Sequence, residues 1–419
     1  MIRAIVFDTD APFVSSGGAS AVVPGARLAG LSLVRRAVLT AWRAGAEDAI
    51  IVARDQEAAE RWARSEQGLP ISVTALTPEA LGSRLGGEDL LIVQAAQVHT
   101  PVAALEQLVL ATRETGRSVR FANEVTGATA PAVLHADEVR QSDLVQAVQA
   151  ALVILSPPAP GQVRRLDTAE ALQHTDRDMY RGLTSISDGY VDRVFNRHIS
   201  GWVTRRIINY PITPNQVTWF HFSLGLLGAW LFWQGAYWQC VLGALFFQLS
   251  VALDCSDGEV ARLKFQFSKF GSWLDVITDN IVTIAVFVAV AKSVYVRYGL
   301  QLGLTVGAMM VTGVLMCIAV IFAMAKLLEK NRPGEASSLA VTNRLSSNDQ
   351  GKLQKQETVV DKIINEATSR DFSILVVACA LTGRLDWFAW LAAVGSHVFW
   401  IVFGAVQWSM LRVRNAKSS

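Results

Sequence analysis

Four aspartates stand as two pairs in an apolar part of the chain, Asp254 with Asp257 and Asp275 with Asp279. On helices, spacings of three and four residues place both carboxylates of a pair on one face. An isolated carboxylate at the centre of a bilayer costs about 2.5–3.5 kcal/mol, and clustered carboxylates also repel one another. We therefore expect a positive partner among them. One or two hard divalent cations, which prefer oxygen ligands, fit best.

Small and basic residues accompany the first pair of aspartates. Gly258 and Ala261 follow on the same predicted helix, and their small side chains would let a flat or phosphorylated ligand approach the backbone. Arg262 carries a permanent charge and can hold a phosphate through two parallel hydrogen bonds. Two helices with paired carboxylates, a groove with small walls and an arginine suit a metal-bound pyrophosphate.

The complete pattern resembles the signature of the CDP-alcohol phosphotransferase family. In this chain it reads Asp254-x2-Asp257-Gly258-x2-Ala261-Arg262-x8-Gly271-x3-Asp275-x3-Asp279. A polar helix pair held only by salt bridges is the alternative. The nearby cations Arg262, Lys264 and Lys269 are too few to neutralise all four acids, which disfavours it.

The resemblance implies transfer of a substituted phosphoryl group from a CDP-alcohol donor to an acceptor alcohol or polyol phosphate, with release of CMP. It implies that Asp254, Asp257 and Asp275 hold two divalent ions, Mg²⁺ or Mn²⁺, at the CDP pyrophosphate. Asp279 is then the general base that takes the acceptor's proton, and it also counts among the metal ligands.

The same resemblance assigns the small residues to nucleotide binding. Gly258 and Ala261 would admit the cytidine ring, and Arg262 would support a phosphate. Gly271 would let the two aspartate-bearing helices pack tightly. Asn215 follows the threonine and proline of an ordinary helix start that family members share, and it either faces the nucleotide or belongs only to that start.

The C-terminal half predicts an all-α, six-helix transmembrane domain over residues 213–412, with residues 413–419 as a cytosolic tail. The predicted spans are Val217–Trp238, Gln239–Leu253, Trp273–Val296, Leu302–Leu328, Phe372–Thr382 and Trp387–Leu411. Basic residues are concentrated at one end of the spans. The positive-inside tendency therefore places the N-terminal domain and the active site on the cytosolic side of a bacterial or archaeal cytoplasmic membrane.

Residues 187–212 predict an amphipathic helix lying on the membrane surface just before the first span. Its apolar stripe comprises Tyr190, Val191, Val194, Phe195, Ile199, Trp202 and Val203. An ordinary amphipathic helix of the soluble domain is the alternative. Residues 156–186 are read as a linker and a connecting helix, Leu166–Leu183.

Residues 1–155 alternate strand and helix patterns and predict a three-layer α/β domain. The predicted strands are Ile2–Phe7, Asp48–Ala53, Ile71–Leu76, Leu90–Gln94 and Ser118–Asn123. The predicted helices are Leu33–Ala44, Gln56–Ser65, Val102–Thr115 and Ser142–Ile154. The net charge of +2 is too small to argue for a nucleic-acid partner.

This domain resembles a sugar-phosphate nucleotidyltransferase that lacks its reactive residues. Pro24-Gly25 stands where a Pro-Lys pair is expected, and Ala96 stands where an aspartate would hold Mg²⁺. We therefore expect no nucleotidyl transfer here. Asp8 and Asp10 suggest a phosphatase-like Asp-x-Asp, but a capping role explains them more simply.

The order of the two domains resembles fusions of inositol-1-phosphate cytidylyltransferase with di-myo-inositol-phosphate-phosphate synthase. It leaves open whether the product is a phospholipid or a soluble phosphodiester. Two other functions stay open: an inactive phosphotransferase-like regulator, and a cation transporter in which the carboxylates line an ion path. Gly303, Gly307 and Gly313 in the fourth span, together with the family resemblance, predict a homodimer with a complete metal site in each protomer. Packing of these glycines within one protomer is the alternative.

Overall fold

The computed structural model describes residues 1–8, 26–65, 68–81, 90–122, 131–141, 146–148, 151, 153–156, 163–183, 192–331 and 372–418. The chain divides into two compact units, Met1–Arg181 and Gly182–Ser419. The first unit is an α/β domain and the second is helical.

The first unit is built on a seven-stranded sheet with spatial order β10-β8-β9-β6-β1-β4-β5. The strands in chain order are β1 (Ile2–Phe7), β2 (Arg27–Leu28), β3 (Leu31–Ser32), β4 (Asp48–Val52), β5 (Ser72–Leu76), β6 (Leu90–Ala95), β7 (Val98–His99), β8 (Val119–Phe121), β9 (Ala132–His135), β10 (Val153–Leu155) and β11 (Arg164–Arg165). Strands β6, β1, β4 and β5 run parallel, whereas β9 pairs antiparallel with both β6 and β8. Strands β1, β4 and β6 are buried along nearly their whole length, so both faces of the sheet are covered, as the α/β class requires.

The helices described in the first unit follow the strands in alternation. They are α1 (Leu33–Arg43), α2 (Gln56–Ser65), α3 (Pro78–Leu81), α4 (Val102–Thr115), α5 (Ala136–Gln141) and α6 (Ala169–Arg181). Ser32 caps α1 by accepting the Arg35 backbone N–H, and Gly116 ends α4 in the left-handed conformation that favours glycine. The predicted connecting helix corresponds to α6, which lies within the first unit.

The five predicted strands and the first three predicted helices of this unit are confirmed. The predicted helix Ser142–Ile154 is wrong at its end, because Val153–Leu155 forms β10 and pairs with β8. Its residues 142–145, 149–150 and 152 lie outside the described part. Pairing with a strand about 30 residues earlier overrides the local helical pattern.

A buried arginine and a histidine lie beside each other near the start of α1. Arg36 donates to the backbone carbonyls of Leu28 and Ala29, and its burial lowers its pKa to about 10. Burial, followed by the charges of Arg36 and Arg164, lowers the pKa of His99 to about 3. This part of the fold therefore keeps His99 neutral.

The second unit begins, in its described part, with a π-helical turn, Asp192–Asn196, that leads into α7 (Arg197–Ile207). Six further helices follow within residues 192–331 and 372–418: α8 (Pro214–Gln234), α9 (Tyr237–Lys264), α10 (Lys269–Tyr298), α11 (Leu300–Asn331), α12 (Phe372–Leu381) and α13 (Leu385–Ser418). Each predicted apolar run falls mainly in one of them. Among described residues, α9, α10, α11 and α13 are long and apolar enough to cross a membrane. Helix α8 falls outside that group, and α12 has 10 residues, so the six-span count stays a prediction.

Helix α7 buries two hydroxyl side chains and exposes an aromatic ring beside cationic groups. Ser200 and Thr204 are buried, whereas Phe195, just before the helix, and Trp202 are exposed. The Arg206 guanidinium lies 4.0 Å above the centre of the Trp202 ring. Exposed aromatic side chains beside cationic groups suit a lipid–water interface, and this location remains a prediction.

The three glycines of α11 lie against other helices of the same chain. A Cβ added at Gly307 would lie 2.8 Å from Cβ of Ala291, and one at Gly303 or Gly313 would overlap Tyr295 or Ser396 respectively. These glycines permit α11 to pack against α10 and α13. The homodimer stays a prediction, and these intrachain contacts match the alternative that the glycines serve packing within one protomer.

Candidate active site

The two aspartate pairs lie on α9 and α10, which are joined by a short turn and both pack against α8. Helix α9 ends at Lys264, and Phe265 adopts a left-handed conformation with φ 57°. Ser268 then caps α10, its Oγ accepting the Gly271 N–H at 2.8 Å. The short turn and the packing of both helices against α8 bring carboxylates of α9 and α10 into one cluster.

The structure brings together three of the four predicted ligands and adds a histidine. One carboxylate oxygen each of Asp254, Asp257 and Asp275 and a ring nitrogen of His221 all lie within 4.8 Å of one another. Asp279, one helical turn beyond Asp275, is not part of this group. Its assignments as base and as additional ligand stay predictions.

The donor set fits a divalent cation. His221 is 2% exposed, and its Nε2 makes no hydrogen bond within the described part of the chain. Lys264, one of the nearby cations, donates instead to the backbone carbonyls of Tyr210 and Ile212 at 2.7 and 2.9 Å. Three carboxylates and one imidazole nitrogen form a donor set suited to a bound cation.

A polar stripe on α8 faces this cluster, and sequence reasoning missed most of it. Asn215, Thr218 and His221 recur every three residues, which places them along one face of α8. Thr218 Oγ1 donates to Oδ2 of Asp257 at 2.6 Å and so orients that carboxylate. The available signal was a buried histidine in an apolar helix, one turn after a threonine, since polar groups at such depth are usually functional.

Asn215 and Gly271 meet between α8 and α10. A Cβ added at Gly271 would lie 2.8 Å from Oδ1 of Asn215. Gly271 thus admits a side chain from α8, which differs from the predicted packing between the two aspartate-bearing helices. Thr213 and Gln216 form the capping box of α8, so Asn215 does not cap the helix. Its side chain lies towards α10.

Arg262 folds back over Gly258 on the exposed end of α9. A Cβ added at Gly258 would lie 3.4 Å from Nη1 of Arg262. The absence of a side chain at Gly258 therefore leaves space for the guanidinium. Arg262 is exposed and Ala261 is partly buried. Its role towards a phosphate stays a prediction.

Glu259, inside the motif, was also missed as an important residue. Its buried carboxylate accepts hydrogen bonds from Arg197 at 3.0 Å, Ser200 at 2.7 Å and Thr204 at 2.6 Å. These donors lie on α7, at spacings of three and four residues. They join α7 to the aspartate-bearing helix α9.

Some of the positions at which the first unit was expected to lack nucleotidyltransferase residues lie in the described part of the chain. Asp8 follows β1 and is buried, and Trp62 Nε1 lies 3.5 Å from its Oδ2. Burial raises the pKa of Asp8, and the Trp62 hydrogen bond opposes that shift. Ala96, after β6, is buried and offers no carboxylate. Asp10 and Pro24-Gly25 lie outside the described residues.

Residues 211–349 match the family model described as CDP-alcohol phosphatidyltransferase. This segment is a domain of that family. The matched residues include the whole aspartate pattern, the polar stripe of α8 and the turn between α9 and α10.

Similar proteins carry related names. A "Bifunctional IPC transferase and DIPP synthase" of Aquifex aeolicus is 33% identical over 127 residues, which are 30% of this chain and 28% of that protein. Its namesake from Rubrobacter xylanophilus is 27% identical over 308 residues, 61% of this chain and 70% of that protein. The match thus spans little more than a quarter of the Aquifex relative. The crystal structure of Mycobacterium tuberculosis phosphatidylinositol phosphate synthase with CDP-DAG bound covers 49% of this chain and 90% of its own, at 23% identity and a TM-score of 0.30.

Proposed function

We propose that this protein is an integral membrane enzyme that transfers a substituted phosphoryl group from a CDP-alcohol to an acceptor alcohol and releases CMP. The observation that carries the proposal is the cluster of Asp254, Asp257, Asp275 and His221 within a domain of the CDP-alcohol phosphatidyltransferase family. A helix pair held only by salt bridges would not gather three carboxylates around one imidazole within 4.8 Å, because like charges repel.

Each residue of the proposed site has a separate role in the reaction. Asp254, Asp257 and Asp275 would hold two divalent ions, Mg²⁺ or Mn²⁺. Bound cations would neutralise the pyrophosphate and the charge that develops on departing CMP. Arg262 binds a phosphate oxygen at the exposed end of α9. Asp279 takes the proton of the acceptor hydroxyl as that oxygen bonds to the phosphorus next to the donor alcohol and the bond from that phosphorus to CMP breaks.

The acceptor proposed for the first tests is a polyol phosphate of the inositol-phosphate type. The names of the Aquifex and Rubrobacter relatives and the two-domain order favour it. A lipid alcohol acceptor would give a phospholipid by the same chemistry. Each CDP-alcohol donor therefore needs to be tested with each acceptor alcohol.

The test uses the full-length protein in lipid nanodiscs with radiolabelled CDP-alcohol and Mg²⁺. CMP release that depends on an acceptor, with a labelled phosphodiester product, supports the proposal. Asp257→Asn should abolish release, whereas His198→Asn, at an exposed position of α7, should not change it. Donor binding without CMP release would instead identify a regulator. Cation flux into liposomes with neither binding nor release would identify a transporter.

The membrane placement follows from the same proposal. We propose that the site and the first unit face the cytosol, where CDP-linked donors are available, and that the second unit forms a homodimer. Accessibility of Arg262 to a membrane-impermeant reagent, in right-side-out and inverted vesicles, tests the sidedness. Mass measurement in nanodiscs tests the dimer.

The first unit is proposed to make no CDP-alcohol. The buried Ala96 leaves the expected metal position without a carboxylate. Full-length protein carrying Asp257→Asn should release no pyrophosphate from CTP with any polyol phosphate. Pyrophosphate release would contradict this reading and would make the chain bifunctional.

A further inference from the structure

His221 occupies an unusual position for a histidine. It lies on α8, 2% exposed, with Nε2 3.5 Å from Oδ1 of Asp254 and 3.5 Å from Oδ2 of Asp257. Within the described part of the chain this nitrogen makes no hydrogen bond. A buried polar atom normally has a partner, so the position calls for an explanation.

The two distances from His221 Nε2 to the carboxylate oxygens suit atoms that bind one common cation better than atoms that are directly hydrogen-bonded. A charge-assisted N–H···O bond is usually about 2.7–2.9 Å long, well below the observed separations. Two ligand atoms that each lie about 2.1 Å from one cation are about 3.0–3.4 Å apart at octahedral or tetrahedral angles. Asp257 Oδ2 already accepts a short hydrogen bond from Thr218, so His221 is not needed to satisfy it.

We propose that His221 is a direct ligand of the divalent cation, and that its nitrogen shifts the site's preference from Mg²⁺ towards first-row ions such as Mn²⁺. The inference rests on the proposed metal site and adds one ligand to it. Mg²⁺ is bound mainly through oxygen atoms, whereas first-row divalent ions accept imidazole nitrogen more readily. The polar stripe of α8 then has one member, Thr218, that orients a carboxylate and another that binds the ion.

The test uses full-length protein in nanodiscs and Mn²⁺ alone as the probe. Pulsed electron paramagnetic resonance should detect a ¹⁴N coupling from a directly bound imidazole. Labelling all histidines with ¹⁵N should replace that coupling without any substitution. His221→Gln should remove it, weaken Mn²⁺ binding at least about tenfold and lower the ratio of Mn²⁺ to Mg²⁺ affinity. The matched variant His198→Gln should leave all three properties unchanged.

The outcomes separate this inference from the proposed function. Saturable Mn²⁺ binding that disappears in Asp257→Asn but shows no ¹⁴N coupling would overturn the role of His221 and leave the metal site standing. Absence of saturable Mn²⁺ binding in the unmodified protein would overturn the metal site itself. Because the ¹⁵N experiment needs no variant, a His221→Gln protein that fails to fold does not prevent a decision.

Discussion

The bond network around Glu259 predicts that α7 is a stabilising part of the catalytic unit. Glu259 is 2% exposed, and its carboxylate binds Arg197, Ser200 and Thr204, all on α7. The perturbation is Arg197→Met, which removes the positive partner and keeps the aliphatic part of the side chain. Among the described residues, the hydroxyls of Ser200 and Thr204 would then remain as its donors.

The expected loss follows from the burial of the pair. Removing one partner of a buried ion pair costs about 3–5 kcal/mol. The Arg197 side chain is 14% exposed, so water partly compensates, and a loss of about 3 kcal/mol in the free energy of unfolding is expected. In a unit of this length, about 3 kcal/mol corresponds to about 6–12 °C in the melting temperature.

The assay is thermal unfolding in nanodiscs, followed by tryptophan fluorescence. Arg206→Met is the matched control, because Arg206 lies on the same helix and contacts the exposed Trp202 ring. Loss of an exposed cation–π contact costs about 0.5–1 kcal/mol, so its melting temperature should change by only about 1–4 °C.

A double-mutant cycle shows whether the two charges act on each other. Arg197→Met combined with Glu259→Gln should cost less than the sum of the single changes, because each single change leaves one buried group without its charged partner. Strict additivity, or equal melting shifts for Arg197→Met and Arg206→Met, would refute the reasoning. Helix α7 would then pack against α9 without depending on this ion pair.

Three further predictions concern the site and the first unit. Asp279→Asn should keep metal and CDP-alcohol binding but lose most turnover. Asp257→Asn should lose binding as well as turnover. Equal binding losses in the two variants would make Asp279 primarily a metal ligand. Gly271→Ala should raise KM for the donor, because overpacking against Asn215 costs about 1–3 kcal/mol, and the increase should be smaller in an Asn215→Ala background. The first unit should lose stability as pH falls from about 6.5 towards 3, since unfolded His99 binds a proton that folded His99, with its lowered pKa, does not. Hydrogen exchange within residues 1–181 measures this, and His99→Leu should flatten the pH profile.

Much of the site was readable from the sequence because it is local. The spacing within each aspartate pair sets a shared helical face, and three of the four aspartates meet in one cluster. The same locality explains why the five predicted strands and the helices α1, α2 and α4 are confirmed. Their hydrophobic periodicity is a property of neighbouring residues.

Contacts between distant elements were decided only by the tertiary structure. His221 and Thr218 reach the carboxylates from α8, more than 30 residues before Asp254. Glu259 binds a helix that lies over 50 residues earlier. Likewise, Val153–Leu155 became a strand because β8 offers it hydrogen-bonding partners. Residue type and spacing placed the carboxylates, but only the packing of α7 and α8 against α9 determined which other side chains join them, because no periodic pattern along the chain records a contact between separate helices.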